Sequence, residues 1–212
     1  IAVGDSPIMA SAMEEVAEIT AKADGLLINL GTPADLRYPA VFTALYAHPT
    51  SAIVLDPVGV GVSEKRRAAC LEMLASGKVQ VLKGNRGEIA ALVGEEEWAH
   101  GVDSVQKVPT EKIVEQAIAL AKKFRVVIVM TGAKDFIVDG KNDRQAFVEG
   151  GHPWLAEVSG SGCVLGTIIT CFLAENPNYP FEQAKTAVEV YRLCAAEAAT
   201  KSQHFGEFSA YL

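Results

Sequence analysis

The stretch Val158-Ser159-Gly160-Ser161-Gly162-Cys163 places small, permissive residues and a thiol directly ahead of an apolar run, Val164 to Leu173, that reads as a buried helix. Small residues before a helix let the backbone approach a ligand closely. The first-turn N–H groups have no helical partner, and the helix dipole favours negative charge at that end. This chemistry suits a phosphate, with the N–H groups of Ser161, Gly162 and Cys163 as an anion hole. Cys163 falls in the same first turn, where a thiol is acidified and can reach a bound molecule. A tight turn with a buried structural cysteine accounts for these six residues equally well, because short Gly-rich loops are common. The rest of the chain has to decide.

Further candidates close the apolar segments of the chain: Asp56 in Asp56-Pro57-Val58-Gly59, then Lys83, then Glu88 in Asn85-Arg86-Gly87-Glu88, then Thr131-Gly132. Acids can hold Mg²⁺, often through waters. A cation and backbone N–H groups neutralise charge on phosphoryl oxygens. Acids, a cation, a hydroxyl and an anion cradle converging on one face would suit phosphoryl transfer. Each piece also has a plainer reading. Asp56-Pro57 can initiate a turn. Asn85 and Glu88 have the spacing of a capping box. Lys83 can be a solvated strand-end lysine, and Thr131-Gly132 can simply close a strand. The chain lacks GxxxxGK[ST], which argues against a P-loop enzyme, and it lacks GxGxxG after its first strand, which argues against a dinucleotide oxidoreductase. Cys163 with His152 suggests a thiol hydrolase, but nothing supplies the third, orienting residue.

The elements that must position these residues follow from the apolar periodicity. Ser11 is expected to cap a helix running to about Lys22, and Gly25 to Leu30 reads as a buried strand. A helix to about Leu45 leads to a strand over Ser51 to Leu55, and Ser63 starts a helix to about Leu74. A strand over Val79 to Leu82 precedes a helix over Glu88 to Val93. Glu95 to Pro109 reads as a polar excursion, Thr110 to Lys123 as an amphipathic helix, and Val126 to Met130 as a strand. Phe136 to Asp139 and Gln145 to Glu149 bracket Gly140-Lys141-Asn142-Asp143, a hairpin signal. Helices over Ser161 to Ala174 and Phe181 to Lys201 follow, and His204 to Leu212 is expected to cover a sheet edge. Strands alternating with helices predict an α/β fold with a mostly parallel central sheet covered on both faces. In such sheets ligands bind beyond the carboxyl ends of the strands, where the candidates fall.

Composition narrows the class. The chain has 212 residues, half of them hydrophobic, which suits one α/β domain with a sizeable aliphatic core. A formal charge of −7 argues against a nucleic-acid partner, which needs a basic stripe. No apolar run has the length of a membrane span. The cysteines at 70, 163, 171 and 194 show no metal-ligand spacing, and they fit reduced thiols in a cytoplasmic protein.

Taken in order, Ser6-Pro7-Ile8-Met9, Asp56-Pro57-Val58-Gly59, Lys83-Gly84-Asn85-Arg86-Gly87-Glu88-Ile89, Gly101-Val102-Asp103-Ser104, Met130-Thr131-Gly132 and Gly160-Ser161-Gly162-Cys163 make the chain resemble the hydroxyethylthiazole kinases of the ribokinase-like superfamily. The last motif discriminates best. Most of the superfamily has an aspartate where this chain has Cys163, and an aspartate would have favoured a hydroxymethylpyrimidine or pyridoxal kinase or an NAD(P)H-hydrate dehydratase. A catalytically silent nucleotide-binding partner is the alternative outside catalysis. The resemblance implies transfer of the ATP γ-phosphoryl group to the hydroxyethyl oxygen of 4-methyl-5-(2-hydroxyethyl)thiazole, in thiamine biosynthesis or salvage. It implies that Met9 and Gly160 contact the thiazole, that Lys83 and Thr131 contact ATP, that Asp56 and Glu88 hold Mg²⁺, and that Cys163 lies by the acceptor hydroxyl. It further implies a homotrimer with shared active sites, an additional segment ahead of Ile1, and a possible fusion behind a thiamine-phosphate synthase domain, as in fungi. Lys83 stands where arginine is common in bacterial members, which keeps the charge and loses the bidentate fork. Ser161 replaces a more usual threonine, and Val62-Ser63 a usual Ala-Thr.

Overall fold

The computed structural model describes residues 4–31, 34–49, 52–94 and 110–212. Among these residues six strands form one sheet: β1 (Leu26–Asn29), β2 (Ile53–Asp56), β3 (Val81–Asn85), β4 (Val127–Thr131), β5 (Asp135–Asp139) and β6 (Arg144–Val148). Their spatial order follows the chain, with β1 to β4 parallel and β5 and β6 added antiparallel. The hairpin expected around Gly140 is present. Asp139 caps its turn by accepting from the Lys141 and Asn142 backbone N–H groups.

Parallel strands that always advance in one direction, joined by right-handed crossovers, put every crossover helix on one face. That face carries α2 (Ala34–Ala47), α3 (Glu64–Ala75), α4 (Arg86–Val93) and α5 (Thr110–Phe124). Their buried residues, among them Leu45, Met73, Ile89 and Ile113, pack on Ile53, Leu55, Leu82 and Ile128. The opposite face is covered by α6 (Ser161–Glu175) and α7 (Pro180–Lys201), whose Leu165, Ile169, Leu173, Ala184 and Val188 pack on Val54, Val81, Val127 and Val129. Alternate residues of each central strand therefore serve alternate cores, which is why the strands read as unbroken apolar runs.

Three details differ from the sequence expectation. The first helix, α1 (Met13–Ala21), is preceded by Ala12 in extended conformation, so Ser11 is not its cap. The strands β2, β3 and β4 run one to three residues further than their apolar runs, because the parallel ladder continues through polar residues: Asn29 pairs with Asp56 and Asn85 with Thr131. The last helix, α8 (Phe205–Tyr211), buries Phe208 against Ala195 and Ala198 of α7 and against Trp154, rather than covering a strand edge. Glu95 to Pro109, including the Gly101-Val102-Asp103-Ser104 motif, lies outside the described residues.

Candidate active site

The site grows from the period of two along each strand. Val54, Val81 and Val129 face α6 and α7, and the next residue on the same face in each strand is Asp56, Lys83 and Thr131. Leu27 and Asn29 make the same step on β1. The register Leu55 to Leu82 brings Asp56 beside Lys83. Residues chosen by one rule on four strands thus converge at the carboxyl end of the sheet, against the amino end of α6.

Lys83 Nζ lies 3.1 Å from Asp56 Oδ2, and both side chains are buried. Asn29 Nδ2 donates to the same oxygen at 3.3 Å and to Cys163 Sγ at 3.2 Å, while its Oδ1 accepts from the Gly31 backbone N–H at 2.8 Å. Asp56 Oδ1 is buried with no hydrogen-bond partner among the described residues. Burial pushes the Asp56 carboxyl above the ordinary aspartate value, and the Lys83 ammonium and a bond from Cys163 pull it only part of the way back.

Glu88 joins this group from the start of α4. The capping box is present, with Asn85 accepting from the Glu88 N–H and the Glu88 carboxylate accepting from the Asn85 N–H at 2.8 Å. The Gly59 backbone lies near enough to Glu88 to favour its charged form slightly. Burial raises the Glu88 carboxyl, the backbone N–H group of Asn85 opposes it, and Asp56 nearby adds to the rise. The cap and the acidic site are therefore one residue in two roles. An unpartnered, buried oxygen on Asp56 beside a second desolvated carboxylate fits a hard cation that keeps waters and phosphate oxygens as its other ligands. Among the described residues no three His, Cys, Asp or Glu side chains gather into a fuller metal cage.

The Gly-rich turn meets this cluster from the other side. Gly160 adopts φ +87°, a left-handed conformation that suits glycine, and the first helical bond runs from the Val164 N–H to the Gly160 carbonyl. A Cβ on Gly162 would stand 3.2 Å from Lys83 Nζ, so a side chain there would crowd the lysine. The Ser161 N–H already donates to the Val158 carbonyl and its hydroxyl to the Leu155 carbonyl. The Gly162 and Cys163 N–H groups lie ahead of the first helical bond. Thr131 is half-buried, with Oγ1 3.4 Å from the Gly84 carbonyl. Met9 stands apart, 94% exposed in the loop before α1. A cavity of about 240 Å³ lined by Gln80, Arg125 and Asp139 opens at the other end of the sheet, by the first residue of β4, and has no part in this cluster.

Residues 1–212 match the hydroxyethylthiazole kinase family throughout. The chain belongs to that family. It is 37% identical over 217 aligned residues to the hydroxyethylthiazole kinase of Pyrococcus furiosus, covering 100% of this chain and 78% of that one. The solved hydroxyethylthiazole kinase protein of Pyrococcus horikoshii OT3 superposes with a TM-score of 0.83 at 33% identity, covering 99% of this chain and 77% of that one. A ribokinase-like superfamily protein from Enterococcus faecalis shares the fold, with a TM-score of 0.63 at 17% identity over 92% of this chain and 64% of that one.

Two features escaped the sequence reading. Asn29 lies inside the run Gly25 to Leu30 and read as part of a buried strand; only the register with Asp56, seen in the structure, brings its side chain to the site. Arg192 lies inside α7, where a charged residue ordinarily reads as solvated, yet it is buried and paired with Asp135. No helix among the described residues is long and apolar enough to cross a membrane.

Proposed function

We propose that this chain transfers the γ-phosphoryl group of ATP to the hydroxyethyl oxygen of 4-methyl-5-(2-hydroxyethyl)thiazole, a step of thiamine biosynthesis. The observation that carries the reading is the buried Asp56–Lys83 pair with its open Asp56 oxygen, linked through Asn29 to Cys163, in a chain of this family. Lys83 and Thr131 contact the nucleotide. The N–H groups of Gly162 and Cys163, with Ser161 beside them, face the charge that spreads over the transferring phosphoryl oxygens. Asp56 and Glu88 hold Mg²⁺, which supplies further neutralisation of the phosphates. Gly160 lines the alcohol's position, and Cys163 receives the hydrogen bond of the attacking hydroxyl. A loose transition state needs no full alkoxide before attack, so positioning and charge neutralisation carry most of the rate and Cys163 a smaller share. The exposure of Met9 supports a place for it in a neighbouring subunit's site, within a homotrimer that shares its active sites.

The test is ADP production from Mg-ATP with hydroxyethylthiazole, hydroxymethylpyrimidine or pyridoxal as parallel acceptors. Turnover that depends on the thiazole alone is expected. Turnover with another acceptor moves the substrate assignment, and nucleotide binding without turnover on any acceptor favours a silent nucleotide-binding partner.

A further inference from the structure

Arg192 is buried, lies off the Asp56–Lys83 cluster, and makes an unusual set of bonds. Its Nε donates to Asp135 Oδ2 at 2.7 Å, and its second terminal nitrogen lies 2.6 Å from Asp135 Oδ1, a bidentate fork. The remaining donors go to backbone carbonyls: Gly132 at 2.6 Å, Gly150 at 2.7 Å and Ala133 at 3.2 Å. Asp135 Oδ1 also accepts from the Gly132 N–H at 2.9 Å. One guanidinium thus ties the turn after β4, which begins at Thr131, to the glycine turn that follows β6. The neighbouring Tyr191 hydroxyl donates to the Ser161 carbonyl at 2.9 Å, which anchors α6 to the same helix.

In a trans peptide the C=O and N–H point in opposite directions. The described chain has no cis peptide bonds. The carbonyls of Gly132, Ala133 and Gly150, turned inward to Arg192, therefore turn the N–H groups of Ala133, Lys134 and Gly151 away from it. None of these three N–H groups has a hydrogen-bond partner among the described residues. Ala133 and Lys134 lie in the turn directly after Thr131, and outward N–H groups there are donors of the kind that suit a phosphate chain.

We propose that Arg192 is a positioning residue for nucleotide binding. Without touching the nucleotide, it fixes the peptide planes at 132–133 and 150–151 so that their N–H groups meet the phosphates. The inference rests on the ATP-dependent reading of the site. Arg192→Lys keeps the charge opposite Asp135 and loses the fork that gathers the carbonyls. Its affinity for the β,γ-imido analogue of ATP with Mg²⁺, measured by titration calorimetry, is expected to fall about tenfold, while the KM for the thiazole alcohol stays within about twofold. Hydrogen exchange on the unmutated protein needs no variant to fold: the amides of Ala133, Lys134 and Gly151 are expected to gain protection when the analogue binds. Unchanged affinity in Arg192→Lys, equal weakening for both substrates, or no added protection at these amides overturns the proposal. An unmutated protein that does not bind the analogue at all overturns the ATP-dependent reading itself, and this inference with it.

Discussion

The two buried ion pairs among the described residues have similar partners and opposite states of completion. Asp135 has both oxygens engaged by Arg192 and one also by the Gly132 N–H, and Arg192 spends its other donors on three carbonyls. Asp56 has one oxygen shared by Lys83 and Asn29 and the other without a partner among the described residues. A saturated pair joins loops and leaves neither carboxylate oxygen without a partner. An incomplete pair costs the fold something, which shows as a carboxyl pushed above its ordinary value, and it leaves an oxygen available for a ligand. Completion of the hydrogen-bond inventory separates the structural pair from the candidate catalytic one more sharply than burial, which they share.

The largest effect should come from replacing the incomplete pair as a unit. Asp56→Asn with Lys83→Met should lower thiazole-dependent ADP production about a thousandfold or more, roughly 4 kcal/mol of transition-state stabilisation, with a calorimetric Tm close to the parent's. A large fall in Tm would break the comparison. Asp135→Ala strands a buried guanidinium and should cost about 3–5 kcal/mol of stability, read as a Tm lower by roughly 6–20 °C; a Tm unchanged would show the saturated pair to be dispensable. Cys163→Ala should lower kcat by about ten- to a hundredfold with nucleotide affinity retained, and a complete loss of turnover with ATP still bound would make the thiol an obligatory base. Gly162→Ala, which brings a methyl group to 3.2 Å from Lys83 Nζ, should raise the KM for ATP a few-fold through the incomplete pair alone.

The smallest effect concerns a thiol outside both pairs. Burial first, then Asp5 beside it, pushes Cys171 up to about 12. A thiol near 8.5 in the unfolded chain is therefore harder to ionise in the folded one. Stability gained from this difference is present below the unfolded value and disappears as pH rises through about 12. Iodoacetamide at mildly alkaline pH should modify exposed Cys194 well before Cys171, as peptide mass spectrometry would show. Equal rates would contradict the upward shift.

Much of this was legible where one side chain or one period settles the matter. The strands announced themselves as apolar runs because both faces are covered, and Ser63 and Asn85 announced caps that the structure contains. Asp56, Lys83 and Thr131 were visible as polar residues closing those runs, and the parallel register brings Asp56 and Lys83 into contact. Ser11 misled because a serine ahead of an apolar pattern signals a cap even where the backbone turns helical two residues later. Arg192 could not be found, since its burial depends on loops some 40 to 60 residues away in sequence arriving at the same point of α7. Both readings of Glu88, as the acid of a capping box and as a candidate Mg²⁺ ligand, were on the sequence, and the structure contains the cap.

The strand order of the sheet also bears on how the chain comes into being. Because the strands add in the order in which a ribosome would make them, each emerging strand finds its partner already formed, with no place to be held open for a later insertion. The crossover helices seal one side of the growing sheet as it lengthens. The other side, with Val54, Val81, Val129 and Ile137, waits for residues 161–201. A nascent chain halted before α6 would carry an apolar face and no anion turn, a sticky species that calls for chaperone cover. The step that seals this face also delivers Cys163 to Asn29, so the protein becomes able to bind and react only when it ceases to be prone to aggregate.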